Sequence, residues 1–432
     1  MIDNIKSVLN KFSEISAWSI TVGKTEAIEL FFIKKALDSN RAKDVTHYIL
    51  TVYCDFEEEN VKYRGSATTE IHSTMTNDEI EKAVKDAAFS ASLVKNKYYP
   101  LVDKLELHQT QLSSNFDLKP LDEWIPEIVE SIYKFDIHEN GCINSAELFL
   151  DKRETRILNS QGIDISYYSY RGQLEFITTW KDSGEEIELY RDLYFSSFKP
   201  ELIESAVNEM LNQSRDKAAA VQTPKLKDCK ILLTGSPVRD FMSYYISQAS
   251  ANSVYTQMST AKLGNNIQGE NIEGDYINIS LDPFLENSTL SAPYDKDGYP
   301  LSQVEIFKAG ILKRYWGDVR FSHYLKVEPT GDIPNIIVEG GSLSIRDFMS
   351  EPYLELTAFS DFQMDTLTGD FAGEIRLGWY FDGINVTPVT GGSISGNIKE
   401  VQRSMRLSKE LQQDNNFVGP KTIELHNVTL AS

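Results

Sequence analysis

The sequence predicts an α+β protein of two domains, an N-terminal mixed sheet with helices over residues 1–222 and a C-terminal β-rich domain over 223–432. Three observations predict it. A chain of 432 residues is long for one core, at ~150 residues per domain. Up to Gln222 the pattern runs helix, strands, helix, strands, helix, whereas beyond it strands dominate. Between the two lies the polar stretch 216–227, where Thr223-Pro224 biases the chain away from helix.

Each element has its own signal. Ile2 to Ile15 places apolar residues at steps of three and four, the mark of an amphipathic helix. Ala27 to Ile33, His47 to Phe56 and Val61 to Ile71 are β-branched and aromatic, hence strands. Thr76 with Glu79 three residues on forms a capping box that opens a helix with alanines on one face. A second helix is expected over Leu121 to Phe135. Four strands follow, at Ala146–Leu150, Thr155–Asn159, Ile163–Tyr170 and Leu174–Trp180, with Ser160-Gln161-Gly162 as a tight turn. Pro200 to Ser214 is again amphipathic.

In the second half, Lys230 to Leu233 reads as a strand and Pro237 to Ala251 as a helix with proline in its first turn. Strands are expected at Ile277–Leu281, Gln303–Lys308, Ile336–Glu339, Tyr353–Ala358, Glu374–Phe381 and Ile384–Val389. Asp297-Gly298 and Asp382-Gly383 supply hairpin turns. A last helix over Ile398 to Leu411 and a terminal strand within Thr422 to Leu430 complete the pattern.

Composition narrows the function classes. With 43 basic and 64 acidic residues, the formal charge of -21 opposes a phosphate backbone, so nucleic acid is not an expected partner. No apolar run approaches the ~20 residues of a membrane helix. The N-terminus lacks the apolar core of a signal peptide, and a cytoplasmic protein is expected. Cys54, Cys142 and Cys229 are few, odd in number and far apart, which fits buried thiols rather than disulfides or a zinc knuckle.

Several motifs suggest chemistry and stop short of it. Gly23-Lys24-Thr25 resembles the end of a phosphate loop, but Trp18 stands where that loop needs glycine, and a hairpin turn is expected instead. Asp295 and Asp297 in YDKDGYP suggest a calcium loop, yet Pro300 and Ile306 occupy its glycine and glutamate positions, which leaves a β-hairpin turn. Gly391-Gly392-Ser393-Ile394-Ser395-Gly396 approximates a nucleophile elbow or a helix-capping turn, the latter being preferred. Thr368-Gly369-Asp370, with Asp365 nearby, offers two carboxylates for acid/base work or simply a solvated turn. None of the six histidines, His47, His72, His108, His138, His323 and His426, belongs to an HExxH or HExxxH pattern.

A further set of short pieces carries a family resemblance by its order and spacing. These are Gly65-Ser66-Ala67-Thr68-Thr69, Asn159-Ser160-Gln161-Gly162, Lys262-Leu263-Gly264 and Asp295-Lys296-Asp297-Gly298. Ala309-Gly310-Ile311-Leu312, Pro329-Thr330-Gly331, Thr368-Gly369-Asp370 and Gly396-Asn397 continue the set. Over nearly its whole length the chain resembles the TldD/PmbA family, and within it the TldE (PmbA) branch, once called modulators of DNA gyrase. That resemblance implies a two-domain α+β fold and a peptide-cleaving complex in which a TldD subunit holds zinc on an HExxxH helix and its TldE partner does not. The corresponding helix here, Val238 to Ala251, contains no histidine. A second departure is Phe359-Ser360-Asp361-Phe362-Gln363, where relatives are glycine-rich.

The resemblance therefore implies a metal-free subunit, with no metal or cofactor in this chain, zinc in a TldD-like partner subunit and an extended peptide as substrate. A homodimer is a possible form of the chain alone. Asp295, Asp297, Thr368, Gly369, Asp370 and Asn397 are the candidate substrate-binding residues. Two other functions compete with this one: an autonomous peptidase with an unrecognised site, and a non-catalytic protein-binding modulator of gyrase.

Overall fold

A computed structural model describes residues 1–103, 112–182, 184–227 and 229–431. Helix α1 (Ile2–Leu9) precedes strands β1 (Ala17–Ile33), β2 (Ala36–Glu58) and β3 (Val61–Ile71), then come α2 (Asn77–Ser92) and α3 (Ile125–Tyr133). Strands β4 (Gly141–Asn159), β5 (Asp164–Trp180) and β6 (Ile187–Phe195) and helix α4 (Pro200–Ala218) complete the first half. The six strands form one antiparallel sheet in the order β3-β2-β1-β4-β5-β6. Alternation puts Ile20, Leu50 and Val52 under α1 and α2, against Ile5, Val8, Ile80 and Val84. Farther along the sheet, Leu148, Leu174 and Phe176 meet Ile128 and Ile132 of α3 and Ile203 and Val207 of α4.

Local chemistry sets the ends of α2. Thr76 Oγ1 accepts the Glu79 N–H at 3.3 Å while the Glu79 carboxylate accepts the Thr76 N–H at 2.8 Å, which is the expected capping box. The Asn159–Ile163 turn is held by Asn159 Oδ1, which accepts the N–H groups of Gln161 and Ile163.

The second half holds two more sheets. After β7 (Val221–Gln222) come β8 (Ile231–Thr234), α5 (Ser236–Gln248), α6 (Ala251–Tyr255), β9 (Ile279–Leu281), β10 (Val304–Lys308), β11 (Ile311–Leu312), α7 (Val319–Leu325) and β12 (Ile336–Val338). Next are α8 (Ile345–Phe348), β13 (Tyr353–Met364), β14 (Asp370–Phe381), β15 (Val386–Thr390), β16 (Ser393–Asn397) and α9 (Ile398–Val401). Strands β17 (Arg406–Leu407), β18 (Leu411–Asp414), β19 (Phe417–Pro420), β20 (Thr422–Leu425) and β21 (Thr429–Ala431) close the chain. One sheet runs β11-β10-β9-β12-β19-β18 and the other β17-β20-β8-β13-β14-β15-β7, with β16 and β21 added beside β14. Helix α5 touches both: Phe241 meets Phe371 of β14 at 5.4 Å between ring centroids, and Tyr245 meets Phe307 of β10 at 6.3 Å. β7 pairs with β15, so residues 221–222 already belong to the second half's sheet.

Four local expectations are corrected. Gly23-Lys24-Thr25 is not a turn but the middle of β1, paired with β2 and β4 on its two sides. The charged run Asp151 to Glu154 does not break β4, because in-register pairs with β1 and β5 carry the strand through it. Helix α1 stops at Leu9, although Phe12 and Ile15 still pack on its core. The last helix ends at Val401 instead of Leu411; Met405 keeps helical spacing with Ile398 and Val401, and it and Leu407 are buried, but from turn and strand backbone. No helix among the described residues is long and apolar enough to cross a membrane.

Gly65 on β3 lies directly beneath α2, and a Cβ there would sit 1.8 Å from the Ala91 carbonyl oxygen. Gly65→Ala is expected to cost ~1–3 kcal/mol, read as a lower urea midpoint. An unchanged midpoint would contradict this seating of the helix on the sheet.

Candidate functional site

The six candidate residues fall into two sets, and no hydrogen bond or ion pair joins the sets among the described residues. Thr368, Gly369 and Asp370 form the turn from β13 into β14, and Asn397 ends β16 directly opposite Asp370 in the register. Gly369 adopts φ +87°, a left-handed conformation in which glycine is unstrained. The Asp370 carboxylate accepts the Thr368 hydroxyl at 2.8 Å and the Asn397 amide at 2.7 Å. Asp365 closes the same turn by accepting the N–H groups of Leu367 and Thr368 at 2.8 and 3.2 Å.

These bonds decide the acid/base question. Backbone N–H groups of Leu367 and Thr368 lower the pKa of Asp365, and the Asn397 amide and Thr368 hydroxyl lower that of Asp370. Both acids are pushed the same way, so the split that general acid/base catalysis requires is lacking here. The turn instead borders an open groove of about 900 Å³, walled by β13, β14 and β16 with Met364, Asp370, Phe371, Asn397 and Glu400 among its lining. On the side of β13 away from β14, β8 pairs only with Leu354 to Leu356. Among the described residues no strand covers the edge from Ala358 to Met364. Phe359 and Phe362, the departure from a glycine-rich loop, close on each other and on Phe371 instead of filling that edge.

Asp295 and Asp297 lie elsewhere, in a tight turn closed by the bridge between Tyr294 and Pro300. Asp295 is 4% exposed, and its Oδ1 accepts the N–H groups of Asp297 and Tyr299, each at 2.9 Å. A Cβ on Gly298 would meet Ile163 at 2.9 Å, which shows the turn seated against the N-terminal sheet. Burial first, and then the Asp297 charge, push Asp295 up to about 7. Burial also pushes Asp297 up to about 6; Lys296 opposes this while Asp318 and Asp332 add to it. The two neighbouring acids share one joint between the halves of the chain, away from the groove.

Helix α5 supports the groove turn from beneath. The Gln248 amide donates to the Thr366 carbonyl at 2.7 Å, and the Tyr244 ring lies 3.4 Å from the Cβ position of Gly369. Gln248 and Tyr244 carried no sequence signal, since a glutamine and a tyrosine on a buried helix look like any others. Other polar groups of α5 are committed too. The Tyr245 hydroxyl donates to Gln402 at 3.1 Å, Gln248 Oε1 accepts the Ser259 hydroxyl, and Asp240 lies beside Arg239, which also reaches Asp414. Zinc takes imidazole, thiolate or carboxylate, and α5 offers one carboxylate, paired with an arginine. The residues present do not fit a zinc helix.

The histidines are equally dispersed. His47 and His72 flank Glu70, His323 packs its ring on Tyr324, His426 bonds Glu424, and His138 rests on Trp180. His108 lies outside the described residues. Among the described residues no group of three His, Cys, Asp or Glu side chains could hold a metal ion. The Gly391–Gly396 stretch is no nucleophile elbow and no helix cap: Gly391 and Gly392 turn with positive φ, and both serines lie within β16.

The sequence profile of the PmbA/TldA metallopeptidase C-terminal domain matches residues 226–432. Residues 226–432 thus belong to the PmbA/TldD family. Its relatives include an uncharacterized protein of Methanocaldococcus jannaschii, 22% identical over 356 residues that cover 77% of this chain and 80% of that one. The metalloprotease PmbA homolog of Buchnera aphidicola is 25% identical, over 65% and 64% of the two chains. In fold the chain is similar to TldE of Thermococcus kodakarensis, with a TM-score of 0.79 and 16% identity across the full length of both. The α+β architecture is thus that of the TldD/PmbA family, and the turn and groove lie in its C-terminal domain.

The buried acids make a pH prediction. A carboxyl whose pKa is raised by folding favours the folded state most below its unfolded value of ~3.9, and that contribution is lost as pH rises through the folded value. Stability from Asp295 and Asp297 should therefore fall between about pH 4 and pH 7. Asp295→Asn keeps the Oδ1 acceptor without the charge, so its melting temperature should gain on the wild type as pH rises through that window. Parallel pH profiles would contradict the raised pKa.

Proposed function

We propose that this chain is the metal-free, TldE-like subunit of a cytoplasmic zinc metallopeptidase, pairing with a TldD-like subunit that holds the zinc. Its task is to wall a chamber for an extended peptide. The observation that carries this reading is helix α5, which lacks histidine and spends Tyr245, Gln248 and the Arg239-paired Asp240 on holding the fold, beside an open groove with an uncovered strand edge. An extended segment can add to such an edge through main-chain hydrogen bonds, which bind without reading sequence. Met364 and Phe371 supply apolar contact, and Asp370 and Asn397 shape the lip of the groove. Thr368 and Gly369 hold that lip in place.

The proposal separates binding from chemistry. In it, this chain orders the peptide backbone, while water activation belongs to the partner's zinc. Rates should reflect this. Mixed with an HExxxH-bearing family member from the same organism, the chain should raise cleavage of an unfolded peptide by at least about tenfold over either protein alone. Cleavage by this chain alone, equal to that of the mixture, would overturn the reading in favour of an autonomous peptidase.

A further inference from the structure

Between the two halves lies a small cavity, distinct from the groove, lined by Tyr53 of β2, Tyr99, Leu101, Asn159, Asp297 and Arg320 of α7. It has about 20 Å³ of room for the centre of a water-sized molecule, and ~10–15 Å³ on that measure suffices for one water. Tyr53 and Tyr99 are 6% and 8% exposed, yet neither hydroxyl has a protein hydrogen-bond partner among the described residues. Buried hydroxyls are rarely left so, because an unmet one costs ~1–3 kcal/mol. Asp297 also lines the cavity; its carboxylate has no protein donor among the described residues, and its charge raises both phenols. Asn159 is already spent, on Val102, Gln161 and Ile163.

We propose that this cavity is a built site for one ordered water molecule, which accepts the hydroxyl hydrogens of Tyr53 and Tyr99 and donates to the Asp297 carboxylate. Charge on both sides selects a neutral occupant. The Arg64 guanidinium lies 6.0 Å from the Tyr53 ring and 5.9 Å from the Tyr99 ring, and that of Arg320 lies 5.6 Å from Tyr99, which opposes a cation. Asp297 opposes an anion. Three polar partners match the ~3 hydrogen bonds typical of a buried water. The water joins β2 and the segment at Tyr99 to the turn at Asp297, and so adds to the direct hydrogen bonds between the halves, such as that from Arg320 to Asn96.

A crystal structure with resolved solvent tests this. A spherical density peak within hydrogen-bond distance of Tyr53 Oη, Tyr99 Oη and Asp297, with no anomalous signal after a rubidium soak, is the expected result. No peak, or a rubidium peak there, overturns the assignment. In solution, the double-mutant cycle of Tyr99→Phe with Asp297→Asn should show coupling of about tenfold in the unfolding equilibrium constant, and additivity within about twofold would contradict a shared water.

Discussion

The C-terminal half depends on how helix α5 is satisfied inside it. A helix buried between two sheets must place its polar side chains, and here two glutamines hold its middle and its end. Gln402 accepts the Tyr245 hydroxyl and donates to the Ile267 carbonyl, and Gln248 reaches the Thr366 carbonyl. The Trp316 indole adds a bond to the Ile246 carbonyl near the helix end. Because these partners come from the loops around both sheets, the helix fixes the position of the turn at Thr368 and hence the lip of the groove. A buried network of this kind tolerates little change, since any member left unpaired bears its full desolvation penalty.

The contrast between the two acid pairs follows from their surroundings. Asp365 and Asp370 sit in solvent and gather donors, so they stay ionised and act as turn-formers. Asp295 has similar turn chemistry, but it and Asp297 are pressed against the N-terminal sheet, and burial turns their shift upward. Identical residue types thus shape the lip of a groove in one place and a joint between the two halves in the other.

Much of this was legible in the sequence where one level of structure decides alone. The capping box at Thr76, the proline start of α5 and the Asn159–Gly162 turn are local, and they formed as expected. The same holds for β3, which spans Val61–Ile71 as its composition implies. Long-range pairing was harder to see: the charged centre of β4 and the glycine of β1 look like loops until both neighbours supply hydrogen bonds. Ile398, Val401 and Met405 imitate a longer helix because a buried turn can present the same spacing to one core. Nor could the sequence divide the candidates into groove and joint. Asp295 and Asp370 both stand beside glycine turns, and only the fold decides which of them meets solvent.

The central claim is that this chain contributes walls and main-chain contacts while the metal resides in another subunit. The most direct measurement is the zinc content of the purified chain after dialysis against metal-free buffer. The account predicts near-zero zinc per chain, because α5 presents committed tyrosine, glutamine and arginine-paired aspartate groups where a zinc helix presents imidazoles. A retained zinc near one per chain would contradict it.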